Sequence, residues 1–151
     1  MPISGRNARR VIFGALSLRT GHRLLLPRER QRAGDFQAFL WDIRDRYRRW
    51  PVAMLLDEDP SHTAAGSVGL AGRLGIELLW LPKRAPELNP IEALWGDGKD
   101  VVCADHQYDS IEEQTGRFIA YLAGLSNRDA LRKSGLFSDD FWLNATVSKT
   151  L

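Results

Sequence analysis

Two short apolar runs, Val52 to Leu56 and Ile76 to Leu81, constrain this chain more than any other feature. Each is far shorter than a helix needs, and the first is cut off sharply by Pro51 before it and Asp57 after it. Runs of this length and boundary read as strands buried on both faces. Thr63 to Leu74 lies between them and reads as a helix, small and Gly-rich. A strand, a helix and a second strand in that order imply parallel pairing through a crossover. Ahead of them, Asp35 to Trp50 carries Phe36, Phe39, Leu40, Ile43, Tyr47 and Trp50 on one helical face. Gly34 and Asp35 mark its start and Pro51 its stop. Aromatic side chains at that spacing belong to a core.

The remainder fits around this unit. Residues 1–8 are polar and read as loose. Val11 to Leu18 and Arg23 to Leu26 read as a hairpin turning through Arg19-Thr20-Gly21-His22. Pro82 to Pro90 is a proline-rich loop. A helix runs from Pro90 to about Cys103, and its two interior glycines, Gly96 and Gly98, cost about 2 kcal/mol relative to Ala. Asp109 to Leu125 is a helix with Asp109 as cap and Glu112 three residues on. Arg128 to Lys133 forms a short helix, and Phe137, Phe141 and Trp142 anchor the tail. The whole is an α/β chain of 151 residues, one domain spanning 1–151.

Charge and cysteine usage narrow the partners. The net charge of +2 does not mark a nucleic-acid binder, but the segment from Arg28 to Arg49 holds seven Arg against Glu29, Asp35, Asp42 and Asp45. Such an excess either faces phosphates or forms a solvated helix face. Cys103 is alone, which fits a reducing cytoplasm. No apolar run is long enough to span a bilayer, so no membrane partner is expected.

Carboxylates that meet at the carboxyl end of parallel strands suit divalent metals, which take hard oxygen ligands. Asp57 closes the first strand at that end, and Glu92 opens the helix after the second. Two such ions clamp the attacking and leaving oxygens of a phosphodiester displacement. Each residue has a plainer reading. Asp57 could cap the following helix. With Asn89 as cap and Pro90 at the first helical position, Glu92 could complete a capping box. Glu58 or Asp59 could replace Asp57 if the strand ends a residue or two later. His62 reads as a hydrogen-bonding or core histidine.

The motifs around these residues resemble the catalytic domain of DDE-type transposases, in the mariner-like insertion-sequence branch. The similarity is carried by Leu55-Leu56-Asp57-Glu58-Asp59-Pro60-Ser61-His62. It continues in Leu81-Pro82 followed by Glu87-Leu88-Asn89-Pro90-Ile91-Glu92, Trp95 and Lys99. The resemblance extends over roughly residues 9 to 125. It implies an RNase H-like mixed sheet flanked by helices, with Asp57 and Glu92 as the second and third metal-binding carboxylates holding Mg2+ or Mn2+. It implies DNA as partner, both transposon ends and target, with Lys99, Arg44, Arg48 and His62 as candidate DNA contacts.

The chain departs from that family at three places. Glu58 stands where the family has Asn, Gly96-Asp97-Gly98 breaks the helix after Trp95, and no acid precedes Val11. The resemblance therefore implies that the first strand and its Asp are lacking, along with the helix-turn-helix that finds the transposon ends. An upstream transposase polypeptide or self-association could supply the strand, or the hairpin could pair directly with Val52 to Leu56. Alone, the chain is expected to be weak or inactive, or to act as a non-catalytic remnant that binds DNA or a transposase. Unpaired strand edges would expose it to aggregation.

Overall fold

The computed structural model describes residues 1–5 and 8–143. It contains five strands, β1 (Pro2–Gly5), β2 (Ala8–Leu16), β3 (Arg23–Arg28), β4 (Val52–Leu56) and β5 (Ile76–Trp80). They are accompanied by the α-helices α1 (Ala33–Arg46), α2 (Pro60–Thr63), α3 (Ala65–Arg73), α4 (Pro90–Gly98), α5 (Ile111–Gly124) and α6 (Asn127–Lys133). The strands form two separate sheets. One is antiparallel in the order β1-β2-β3, and the other is the parallel pair β4-β5.

The expected hairpin is present, with Val11 opposite Arg28 and Leu16 opposite Arg23. Gly21 turns it at a φ of +82°, and a Cβ there would lie 2.2 Å from the Asn127 carbonyl oxygen. Glycine alone meets both demands. The parallel pairing is also present, in register from Val52 opposite Ile76 to Leu56 opposite Trp80. The hairpin does not pair with β4.

Pro2–Gly5 differs from the expected loose terminus. It forms a strand against Ala8–Val11, and Ile3 is buried. A single apolar residue among polar ones gave no alternation from which to read it.

Alternation along β2 organises the interior. Val11 and Phe13 point into one cluster with Phe36, Phe39, Leu40 and Ile43 of α1 and Leu56 of β4. Ile12 points the other way, into a cluster with Leu94 and Trp95 of α4 and Phe118 and Leu122 of α5. Side chains on a strand alternate faces, so β2 serves both clusters, and β3 follows it with Leu25 on one side and Leu24 and Leu26 on the other.

The buried-strand expectation fails for β4 and β5. Only Leu56 of β4 is fully buried, and Leu79 and Trp80 of β5 are each 40% exposed. Among the described residues each strand pairs with the other alone, so one edge of each is unpaired. Helix α1 also ends four residues early. The Arg44 guanidinium donates to the carbonyls of Tyr47, Trp50 and Leu74, gathering the chain into a turn. Trp50 therefore leaves the helical face, stands 55% exposed, and meets Arg19 at 4.6 Å instead of entering the core.

Gly96 and Gly98 do not break α4, which continues through Gly98 into one turn of π-helix over Lys99–Cys103. Gly98 has a packing reason: a Cβ there would lie 2.6 Å from the Phe118 ring. Helix α5 is capped one residue later than expected, by Ser110, whose hydroxyl accepts the Glu113 N–H. In the tail, the Trp142 indole donates to the Leu88 carbonyl at 2.9 Å, while Phe137 is exposed.

Candidate functional site

Between β2 and β4 lies a cleft of about 840 Å³. Its floor includes Phe13, Gly14 and Ala15 of β2 and all of β4. Asp57, His62, Glu92 and Lys99 line one end, beyond the carboxyl end of β4, and Arg19, Tyr47 and Trp50 line the other. Helix α4 and its extension supply three lining residues: Glu92 in the first turn, Trp95 one turn on, and Lys99 at the end. Spacings of three and seven residues place them on one helical face.

Neither candidate carboxylate is used as a cap. The cap of α2 is Asp59, whose Oδ1 accepts the Ser61 N–H at 2.9 Å and the Ser61 hydroxyl at 2.6 Å. Asp59-Pro60 repeats the cap-then-proline signal of Asn89-Pro90, so the sequence already held this assignment. At α4, Asn89 accepts the Ile91 N–H, but its own N–H bonds the Pro86 carbonyl. That leaves no donor for Glu92 to receive in a capping box. Glu58 is exposed.

Asp57 and His62 form a local unit. Asp57 Oδ1 accepts the Asp59 N–H at 3.1 Å and lies 2.9 Å from His62 Nδ1. The His62 bond holds the Asp57 carboxyl below its usual range, against the effect of burial and with help from the Asp59 N–H. For His62, burial disfavours the charge, but the bonds to Asp57 and the charges of Asp57 and Asp59 outweigh it and raise the imidazole. Burial raises Glu92, the nearby Asp57 charge adds to this, and the Met1 ammonium and Lys99 oppose it. The Met1 amino group donates to the Ile12 carbonyl at 2.6 Å, and burial lowers it to about 6.

The donor set suits a hard divalent cation. Asp57 Oδ2 and both Glu92 oxygens have no hydrogen-bond partner among the described residues. Magnesium is commonly held by one or two carboxylates with water and substrate phosphates completing the shell. Among the described residues no group of three or more His, Cys, Asp or Glu side chains could hold an ion.

The other candidates divide. Lys99 lines the cleft. Arg44 does not, because its guanidinium is committed to three carbonyls. Arg48 is exposed in the turn after α1. His62 has its Nδ1 taken by Asp57. The Phe36 ring behind His62, 4.4 Å between centroids, was hidden in the core pattern of α1.

Residues 2–114 match the family described as the DDE superfamily endonucleases. The chain belongs to that family. This DDE endonuclease chain has the RNase H-like fold that its motifs implied, and it resembles solved transposase domains. Against the crystal structure of the catalytic domain of Mos1 mariner transposase the TM-score is 0.71 at 20% identity, covering 89% of this chain and 72% of that one. Against the Mos1 catalytic domain with raltegravir and Mn it is 0.74 at 20% identity, covering 98% and 78%. Against the Mos1 mariner paired end complex with Mn it is 0.64 at 23% identity, covering 84% and 39%. No curated protein matches the chain. Among the described residues, no helix is long and apolar enough to cross a membrane.

Proposed function

We propose that Asp57 and Glu92 are two carboxylates of a transposase metal site, holding Mg2+ or Mn2+ for DNA strand cleavage and transfer in the movement of an insertion sequence. The observation that carries this is their shared freedom. Both are released from the capping roles their positions suggest, and both line one end of one cleft. The Mn held with two of the similar Mos1 structures is consistent with it. When bound, the cations would activate the attacking oxygen and neutralise charge at the phosphate. Lys99, on the same face of α4 as Glu92, meets the DNA backbone, and Arg48 adds a contact from the α1 turn. Arg44 serves the backbone instead.

The site wants a third carboxylate, and the gap between β2 and β4 is where a strand carrying it would lie. The reading places the chain in the cytoplasm, consistent with free Cys103. A second reading, a non-catalytic module that binds DNA or a transposase, is favoured by the same open edges.

Calorimetric titration with Mn2+ tests the first. Binding by the wild type that disappears in Asp57→Ala/Glu92→Ala supports it. A folded wild type that takes up no Mn2+ sinks it and leaves the second.

A further inference from the structure

Asp57 stands just past the end of β4 with its side chain 58% exposed. A carboxylate so placed would sample several rotamers. Here it does not, because two donors converge on the same oxygen. The Asp59 N–H reaches Oδ1 at 3.1 Å, and His62 Nδ1 reaches it at 2.9 Å. The same nitrogen lies 3.0 Å from the Asp57 carbonyl oxygen. Both of its partners are acceptors, so Nδ1 carries the hydrogen.

The imidazole is itself held. Its side chain is only 15% exposed, and its ring packs on Phe36 at 4.4 Å. Phe36 is buried in the α1 cluster. The His62 N–H also bonds the Asp59 carbonyl at 2.8 Å, closing the turn into α2. Position is thus passed from the core through Phe36 and His62 to one oxygen of Asp57.

We propose that His62 is a positioning residue that occupies Asp57 Oδ1 so that Oδ2 alone faces the cleft as a one-oxygen ligand for the divalent cation. This rests on the reading of Asp57 as a ligand and assigns His62 a role other than DNA contact. Partners behind metal ligands fix their orientation, and losing one costs about 10- to 100-fold in metal affinity.

Three variants separate positioning from simple stapling of the turn. His62→Phe keeps a ring against Phe36 and removes the donor. His62→Asn places an amide N–H close to where Nδ1 stands, and His62→Gln moves that donor beyond reach. Mn2+ affinity is read by calorimetry and by electron paramagnetic resonance of free Mn2+, with thermal melts alongside. The expected result is an affinity about 10-fold or more weaker for His62→Phe and His62→Gln, with His62→Asn restored to within a few-fold of wild type. A folded His62→Phe that binds as wild type does overturns the proposal. If His62→Phe fails to fold, Asn and Gln variants of equal affinity overturn it. A wild type that binds no Mn2+ overturns the metal reading itself, so the two failures are told apart.

Discussion

Substituting Gly14 by Ala should be destabilising, although glycine in a strand is normally the weaker choice. Where the added methyl has room, Gly→Ala stabilises by about 0.4–1 kcal/mol through the unfolded chain. At Gly14 it has none. The new Cβ would lie 2.2 Å from Trp95 Cη2, 2.5 Å from Cζ2 and 3.2 Å from Ile91 Cδ1. Trp95 is 6% exposed and stacks at 6.1 Å on Phe118, which is fully buried, so the indole cannot simply swing away. Overpacking of this kind costs about 1–3 kcal/mol. The net expectation is a loss of about 1–2 kcal/mol, or roughly 2–8 °C in melting temperature for a chain this size. Trp95 lies one turn after Glu92, so a shifted α4 carries that carboxylate with it, and on the proposed metal reading Mn2+ affinity should fall as well. Urea denaturation of Gly14→Ala, repeated in a Trp95→Leu background, measures the clash as a coupling energy. A Gly14→Ala protein as stable as wild type, or a cost unchanged in the Trp95→Leu background, would refute the packing argument.

Three further outcomes are expected. Asp97 accepts from Tyr121 at 2.6 Å and from Lys133 at 3.1 Å, tying α4 to α5 and α6. Burial opposes its charge, but those two partners hold it below 3.8, so its contribution is present above that pH and lost as pH falls through the lowered value. Asp97→Asn should cost about 1–2 kcal/mol at neutral pH and flatten the acid limb of a stability curve. The Arg23 side chain donates to the carbonyls of Leu122, Ala123 and Leu125 and to Asn127, closing the end of α5 over the hairpin. Arg23→Ala should lower stability by about 1.5–3 kcal/mol in chemical denaturation. The stabilising part of the Asp57–His62 pair is lost as pH falls through the lowered Asp57 value, and lost again as pH rises through the raised His62 value. The melting difference between wild type and His62→Phe should be widest between 3.8 and 6.5 and narrow on either side; a difference that is flat with pH would contradict the pairing.

What could be read from the chain depended on whether a residue's role is local. The hairpin, β4, β5 and the α1 core face follow from period and punctuation, which act over a few residues. Asp57 and Glu92 were singled out by position, and motif resemblance separated them from ordinary caps. Local pattern could not resolve that choice, because a cap and a ligand can occupy the same place in sequence. The hydrogen bonds remove the cap reading alone: Asp59 takes the α2 cap, and Asn89 gives its N–H to Pro86. Distant contacts were likewise illegible. Gly98 looked like a helix breaker until Phe118 was seen against it. Trp50 looked like core until Arg44 ended the helix beneath it. Pro2–Gly5 is a strand because β2 offers an edge, not because its own residues favour one.

The absence of hydrogen bonds between the two sheets has a mechanical meaning. A continuous sheet spreads a disturbance along its ladder, because shifting one strand strains every neighbour. Here the ladder β1-β2-β3 is separate from the ladder β4-β5, and among the described residues no backbone hydrogen bond joins the two. The cluster of Val11, Phe13, Phe36, Leu56 and Ile76 spans both sheets, while the cluster of Ile12, Leu94, Trp95 and Phe118 lies on the other face of β2. Packing in that shared cluster therefore couples the two sheets as units. The carboxylates stand on opposite sides of that division, Asp57 at the end of β4 and Glu92 on α4, so the distance between them is set by how firmly the two units are held together.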